Sequence, residues 1–352
     1  MSSGGLSPEL PSSLPLMQLS TGFWAFKTLA AAHELGLFAV LDELGSATVG
    51  QVAAKLEIAD RPARMLLTGC AALGLVEVEA GEGEGGAFAN SAMAEAYLVP
   101  SRPYYFGGWV RMLDRRLYPG WGRLDEALRT NAPTTWDPRT QESLFSGEDP
   151  ALLETFWQAM YSLSSSTARG LARAADLGAY RRLLDVGGGS GAYAIELCRA
   201  YPGLRATVFD LPHVCPIAAG RAAEAGLSER IAVHPGDFLN DPALPQGHDL
   251  ILLSMVLHDW DEPTGRALLA KCHAALPPGG AVVISELMVD DDRSGPAAAA
   301  LMGLNMLVET VGGENYTAAE YGRWLTDTGF EQPRDVLLDG PGANRVLVAV
   351  RH

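Results

Sequence analysis

Basic residues are scarce in this chain. Its 352 residues carry 26 Lys and Arg against 42 Asp and Glu, a net charge of −16. Only three of the 26 are lysines, Lys27, Lys55 and Lys271. Phosphate neutralisation needs a basic face, so this balance argues against nucleic-acid binding. It argues equally against docking on an anionic membrane surface. No apolar run approaches the roughly 20 residues that a membrane-spanning helix needs. The opening MSSGGLSPELPSSLP lacks the basic and apolar regions of a secretory signal, so a cytoplasmic location is expected. Cysteine is also sparse: Cys70, Cys198, Cys215 and Cys272, with no C-x-x-C spacing. They read as buried free thiols in a reducing compartment. No internal repeat is present.

What is there is a packed-globule composition, 48% apolar and 19% charged, in a chain long enough for two domains. Residues 1–19 read as a flexible tail. Over residues 22–44, Phe23, Phe26, Leu29, Ala30, His33, Leu37 and Leu41 recur at helical steps, with a break at Gly36. A short helix capped by Thr48 follows. The next is expected to take Asp60 as N-cap, with Pro62 in its first turn, and to end near Ala72. GLVEVE and a Gly/Glu-rich turn, GEGEGG, complete the order of a winged helix over residues 20–105. Its acidity leaves a DNA-binding regulator as a remote alternative. Residues 106–175 read as a helical, aromatic-rich linker and pocket segment, with Trp109, Tyr118, Trp121, Phe145, Phe156 and Trp157 among its rings. These rings suit either core packing or the lining of an apolar cavity for a flat substrate.

From residue 176 the rhythm becomes strand–helix alternation. Strands are expected at 182–186, 205–210, 230–234, 248–257 and 281–289, with weaker ones at 335–339 and 345–350. Five apolar strands joined by helical crossovers imply a parallel sheet covered on both faces, hence an α/β fold. The tight PGAN turn between the last two strands requires antiparallel pairing.

The strongest chemical signal is the run from Leu184 to Ala192, LDVGGGSGA. A strand ends, glycines let the backbone approach a ligand, and a helix N-terminus offers free N–H groups. Gly187, Gly189 and Ala192 also fit the dinucleotide pattern G-x-G-x-x-G/A. Asp185 before the first glycine suits a cationic group better than a pyrophosphate. Asp210, ending the second strand, is placed for ribose hydroxyls. Asp237 and Phe238, after the third strand, suit an adenine amino group and ring. Three carboxylates without a basic residue favour a cofactor lacking phosphates, S-adenosylmethionine over NAD.

The fourth strand runs into Ser254-Met-Val-Leu-His258-Asp259-Trp260. In open α/β sheets, ligands sit outside the carboxyl ends of the strands, which is where His258 falls. His33, His273 and His352 read as structural. Glu286, ending the next strand, would lie beside His258 and hold its tautomer.

DVGGGSG, VFDLPHV, PGDF, LHDWDE, LPPGG and GG-x-x-x-T together resemble the S-adenosylmethionine-dependent small-molecule O-methyltransferases of the caffeic acid and acetylserotonin type, in their bacterial natural-product branch. The resemblance runs from about Ser20 to the end. It implies a Rossmann-like class I methyltransferase domain behind a mainly helical, winged-helix dimerisation domain, and a homodimer. It implies cofactor contacts from Gly187, Gly189, Asp210, Leu211, Asp237, Phe238, Ser254 and Ser164, and S-adenosylhomocysteine as product. It implies catalysis by His258 with Glu286 and Asp259. It implies a substrate wall of Trp157, Met160, Met302, Asn305, Met306 and Asn315. No metal is expected, since no second His lies near His258 in the sequence.

One position departs from the family. Its second carboxylate beside the catalytic His aligns with Asn315, while Glu314 would point elsewhere. A neutral amide there removes a like-charge penalty and can donate a hydrogen bond. With Arg111, Arg115 and Arg116 in the segment expected to roof the pocket, the expected substrate is a hydroxylated aromatic acid or amino acid. The expected reaction is methyl transfer to a phenolic oxygen. Ring C-methylation of a similar acid is the alternative.

Overall fold

The structure, a computed structural model, describes residues 10–79, 86–141 and 150–352. The first nine residues of the expected tail, most of the GEGEGG turn and Phe145 lie outside that description. The chain divides into two compact units between Val110 and Arg111.

In the first unit, α1 (Leu14–Ser20) is a helix within the stretch read as a tail. Pro15 in its first turn pre-sets the backbone, and none of its residues is buried. Helices α2 (Gly22–Glu34) and α3 (Leu37–Leu44) meet at Gly36, which takes φ 79. Helix α4 (Val49–Leu56) starts from a reciprocal Thr48–Gln51 capping box. Helix α5 (Asp60–Ala72) begins one residue earlier than expected. Ala59 is its N-cap, and Asp60 lies inside the first turn, where its charge favours the helix dipole. Strands β1 (Val76–Glu79) and β2 (Ala87–Asn90) pair antiparallel as the wing. Leu37, Phe38, Leu41, Val52, Leu67, Cys70 and Phe88 form the core. Helix α6 (Ala92–Tyr97) follows, His33 is tied to the Tyr105 hydroxyl at 2.6 Å, and α7 (Gly107–Met112) contains the division between the units.

In the second unit, a π-helical turn at Leu113–Leu117 leads to α8 (Tyr118–Trp121), α9 (Leu124–Thr130) and the long α10 (Pro150–Ala174). Then come β3 (Arg182–Val186), α11 (Ala192–Ala200), β4 (Arg205–Asp210), α12 (Cys215–Glu224), β5 (Ile231–Pro235), β6 (Leu250–Ser254), α13 (Glu262–Ala275), β7 (Ala281–Glu286), α14 (Ala297–Glu309), α15 (Ala318–Thr328), β8 (Arg334–Leu337) and β9 (Arg345–Val350). They build one seven-stranded sheet in the order β5-β4-β3-β6-β7-β9-β8. The first five are parallel, and β9 runs antiparallel to both β7 and β8.

Both faces of this sheet are buried, which is why its strands read as nearly unbroken apolar runs. Leu183, Leu252 and Val283 pack with Leu171, Ile195 and Leu197 on one side. Leu184, Ile251, Leu253 and Ile284 pack with Leu268, Leu269 and Trp324 on the other. Strands β6 and β7 end at Ser254 and Glu286, short of the expected 257 and 289. Met255 takes φ 52 and turns the chain out of the sheet. All four cysteines are free and buried. No helix among the described residues is long and apolar enough to cross a membrane.

Leu252, 1% exposed in the middle of β6, has no room to collapse around a truncation. Leu252→Ala should cost about 2–5 kcal/mol, read as an earlier denaturant midpoint for the sheet-bearing unit.

Candidate active site

Three glycines follow β3 in the left-handed region: Gly187 (φ 65), Gly189 (φ 56) and Gly191 (φ 77). A side chain there would be strained and would collide. A Cβ on Gly187 would stand 2.9 Å from Val256, and one on Gly189 would stand 2.6 Å from the Trp157 ring. Asp210, from the end of β4, holds the turn. Gly189 N–H donates to its Oδ2 and Leu211 N–H to its Oδ1, each at 2.7 Å. Burial holds the Asp210 carboxyl above its ordinary value against those two bonds. Each oxygen keeps a further lone pair for a hydroxyl.

Asp185 is buried beside Gly188, and its Oδ2 has no hydrogen-bond partner among the described residues. Burial, and then the charge of Asp210, push its carboxyl up to about 7. Ser254 Oγ is likewise buried and unpartnered. Asp237 accepts from Leu239 N–H and Asn240 Nδ2, while Lys271 Nζ donates to the carbonyls of Phe238, Leu239 and Asp241. This pins Phe238 edge-on to Trp260, with ring centroids 6.0 Å apart. An unpartnered buried carboxylate beside a close-approach turn suits a cationic ligand and opposes a pyrophosphate. These residues therefore fit S-adenosylmethionine.

The His258 turn is built on Glu286. This side chain is fully buried, and its two oxygens take three donors. Oε1 accepts Val256 N–H at 2.9 Å and Leu257 N–H at 3.0 Å, and Oε2 accepts His258 Nδ1–H at 2.5 Å. With Nδ1 committed, Nε2 is the nitrogen left for chemistry, 3.5 Å from Asp259 Oδ1. Burial opposes charge on His258, but Glu286, Asp259 and the Glu286 hydrogen bond outweigh it and push the imidazole up to about 9. Burial raises Asp259 to about 7, with His258 opposing and Glu286 and Glu309 adding to the rise. Gly313 lies so close that a Cβ there would strike the His258 carbonyl oxygen.

Two helices carry the expected substrate wall. Trp157, Met160 and Ser164 recur at three- and four-residue steps on α10, one stripe of that helix. Trp157 packs on Gly189, so it belongs to the cofactor turn as much as to the wall. Ser164 is half-buried. Met302, Asn305 and Met306 share a stripe of α14. Met306 is buried, and Met302 packs against Leu287, Val289 and Ala299. Asn305 Oδ1 accepts from Trp121 Nε1 at 2.8 Å.

The expectation for Asn315 is corrected in part. Its Nδ2 donates to the Leu287 carbonyl, and its Oδ1 is buried without a partner among the described residues. The amide donor serves a backbone carbonyl just past the end of β7, whose strand pairing has stopped. Glu314 does point elsewhere, to Arg293 at 3.0 Å.

Sequence reasoning did not single out Val256, Trp260 or Lys271, although LHDWDE contains Trp260. It also missed that Glu309, one helical turn beyond Asn305, is bonded by Arg116 Nε at 3.1 Å. Among the described residues, no group of three or more His, Cys, Asp or Glu side chains is arranged to hold a metal ion.

The sheet order, the glycine turn closed by Asp210 and the histidine at the mouth of β6 define a Rossmann-like methyltransferase. Comparison with known proteins agrees. Residues 121–331 match the O-methyltransferase domain model and residues 17–100 the O-methyltransferase dimerisation domain. A 3-hydroxy-5-methyl-1-naphthoate 3-O-methyltransferase of Streptomyces sahachiroi is 50% identical over 99% of both chains. An L-tyrosine C(3)-methyltransferase of Streptomyces lavendulae is 33% identical over 94% of this chain and 90% of its own. Human N-acetylserotonin methyltransferase, solved in complex with SAM, superposes with a TM-score of 0.86 at 31% identity, covering 98% of this chain and 99% of its own. The chain belongs to the O-methyltransferase family and is an S-adenosylmethionine-dependent enzyme.

Because the folded-state value of His258, about 9, lies above the unfolded value of about 6.5, its ionisation stabilises the fold fully below pH ~6.5 and that contribution is lost as pH rises through about 9. Removing the Glu286 charge should reverse the shift. In Glu286→Gln, an NMR titration of His258 should show its pKa lowered by about one unit or more. An unmoved titration would mean that the carboxylate does not control the imidazole.

Proposed function

We propose that the chain methylates a phenolic hydroxyl of a small aromatic acid, with His258 as general base. The observation that carries this reading is the Glu286–His258 bond, which fixes the tautomer and leaves Nε2 to take the hydroxyl proton. S-adenosylmethionine, when bound, supplies a methyl group already activated on a sulfonium. Gly187, Gly189, Asp210, Leu211, Asp237, Phe238, Ser254 and Ser164 would hold it, and the chain's own work is positioning and proton removal.

The charge around His258 makes it a stronger base than its ordinary value allows. A phenol at about 10 faces an unperturbed His at about 6.5, a steep uphill transfer. With the imidazole pushed up to about 9, the gap to the phenol narrows. Deprotonation as the oxygen attacks is then close to balanced, and Asp259 beside Nε2 steadies the imidazolium. The cost is that the resting base is protonated at neutral pH.

The aromatic acid is supported by two relatives, named for a hydroxynaphthoate and for tyrosine. It is also supported by Asn315, a neutral side chain where the family has a carboxylate. The tyrosine relative's name keeps ring C-methylation as the second reading, and product NMR separates O-methyl from C-methyl. The exposed row of Leu14, Leu16, Met17, Leu19, Phe23 and Trp24, running into the dimerisation-domain match, supports a homodimer. Four buried free thiols support a cytosolic location.

His258→Ala should lower turnover about 10²–10⁴-fold while calorimetry shows S-adenosylmethionine affinity nearly unchanged. Retained turnover would move the base elsewhere. In the native enzyme kcat/KM should rise with pH toward about 9, the value to which His258 is pushed. A profile that levels off near neutrality would sink that assignment. For substrate class, the comparison is initial rate on a hydroxynaphthoate or hydroxybenzoate against its methyl ester. The acid should win.

A further inference from the structure

The surroundings of His258 are hostile to an anion. Glu286 and Asp259 face the imidazole, and Glu309 is close enough to raise Asp259. An aromatic acid placed with its hydroxyl at Nε2 brings a further carboxylate toward this cluster. A compensating cation is needed, and besides His258 itself a basic side chain is bonded to one of the three acids. It is Arg116, whose Nε donates to Glu309 Oε1.

We propose that Arg116 is the receptor for the substrate's carboxylate, with Nε kept on Glu309 while Nη1 and Nη2 take the two carboxylate oxygens side by side. This rests on the reading of the substrate as an aromatic acid. Both partners are largely buried, with side chains 14% and 6% exposed. The Nη groups of Arg116 have no hydrogen-bond partner among the described residues. A guanidinium fork is built for two parallel bonds to a carboxylate, and three of its N–H sites can serve two acids at once.

The placement follows from α14. Met302, Asn305, Met306 and Glu309 fall at helical steps on one stripe. Three residues of the preceding segment hold that stripe: Trp121 on Asn305, Trp136 Nε1 on the Glu309 carbonyl at 2.6 Å, and Arg116 on the Glu309 carboxylate. The same helix packs against the turn that carries His258. Arg116 itself sits in the π-helical turn Leu113–Leu117, a wound-out geometry often found at functional sites. Arg115 is exposed. Arg116, one of the three arginines considered from the sequence, is joined to the wall.

The rival account is that the Arg116–Glu309 pair only pins α14 in place. The two accounts predict opposite signs in one experiment. KM is measured for 3-hydroxy-1-naphthoate and for its methyl ester, with the full-length protein and S-adenosylmethionine, in the native enzyme, Arg116→Met and Glu309→Gln. Arg116→Met should raise KM for the acid about 10- to 100-fold, the loss of a hydrogen bond to a charged group, and leave the ester nearly unchanged. Glu309→Gln frees the guanidinium of its competitor and should lower KM for the acid. If acid and ester move together, or both variants weaken the acid alike, Arg116 is a structural residue and the proposal fails. If Arg116→Met does not fold, the sign of the Glu309→Gln effect decides, with Arg116→Lys expected to lie between. A native enzyme that methylates the ester in preference to the acid, or neither compound, overturns the substrate class itself and this proposal with it.

Discussion

A buried carboxylate is the constraint on which this site depends. Glu286 ends the interior strand β7 with no access to solvent, and an isolated charge there would be prohibitively costly. The structure answers with three donors on two oxygens. Two of them are backbone N–H groups of Val256 and Leu257, which reach Glu286 only because β6 stops at Ser254 and Met255 adopts φ 52. Strain at a non-glycine residue in that region is of order 1–3 kcal/mol, and it persists because Glu286 over-determines the turn. The third donor is His258. The electrostatic need of one acid thus sets the end of a strand, the path of a loop and the tautomer of the imidazole.

The same logic, with opposite emphasis, shapes the cofactor side. Asp210 satisfies its carboxylate with two backbone N–H groups, one of them from the glycine turn it braces. Asp185 does not satisfy its own, and stays buried with an idle oxygen. Two acids at the ends of neighbouring parallel strands therefore play different parts. One organises the backbone and the other waits for positive charge. Trp157 closes over Gly189 from α10, so the helix expected to carry substrate-wall residues also covers the glycine turn.

Much of this was legible in the sequence, for reasons that are local. The five parallel strands are apolar because both faces are buried, and the PGAN turn forces the last hairpin. Asp210, His258 and Glu286 stand at strand ends, where the rule for open sheets places ligands. The departures come where tertiary demands override local pattern. Apolar residues continue past Ser254 and Glu286, so hydropathy extends both strands, while the need to bond Glu286 cuts β6 short. Asp60 is a good cap by residue type, but Ala59 already holds the extended conformation of an N-cap. Asn315 looked available because nothing in a sequence shows that the Leu287 carbonyl would claim its amide. Glu309 and Arg116 are separated by 193 positions, and no periodicity within either helix announces such a pair.

The acids near His258 also bear on the neutral Asn315, which stands where the resemblance implies a carboxylate. A flanking carboxylate serves to raise the basicity of the imidazole. Glu286 and Asp259 already carry His258 up to about 9, near the value of a phenol at about 10. A general base works best with a pKa near the operating pH, so further acid beside the proposed base would only strengthen the imidazole's hold on its resting proton. Asn315 in place of a carboxylate leaves that match intact. It also keeps one negative charge away from a cluster where Glu309 already needs the guanidinium of Arg116 beside it. Under the proposed reading the base is tuned by two acids, and a neutral third position relaxes the electrostatic exclusion of an acidic substrate.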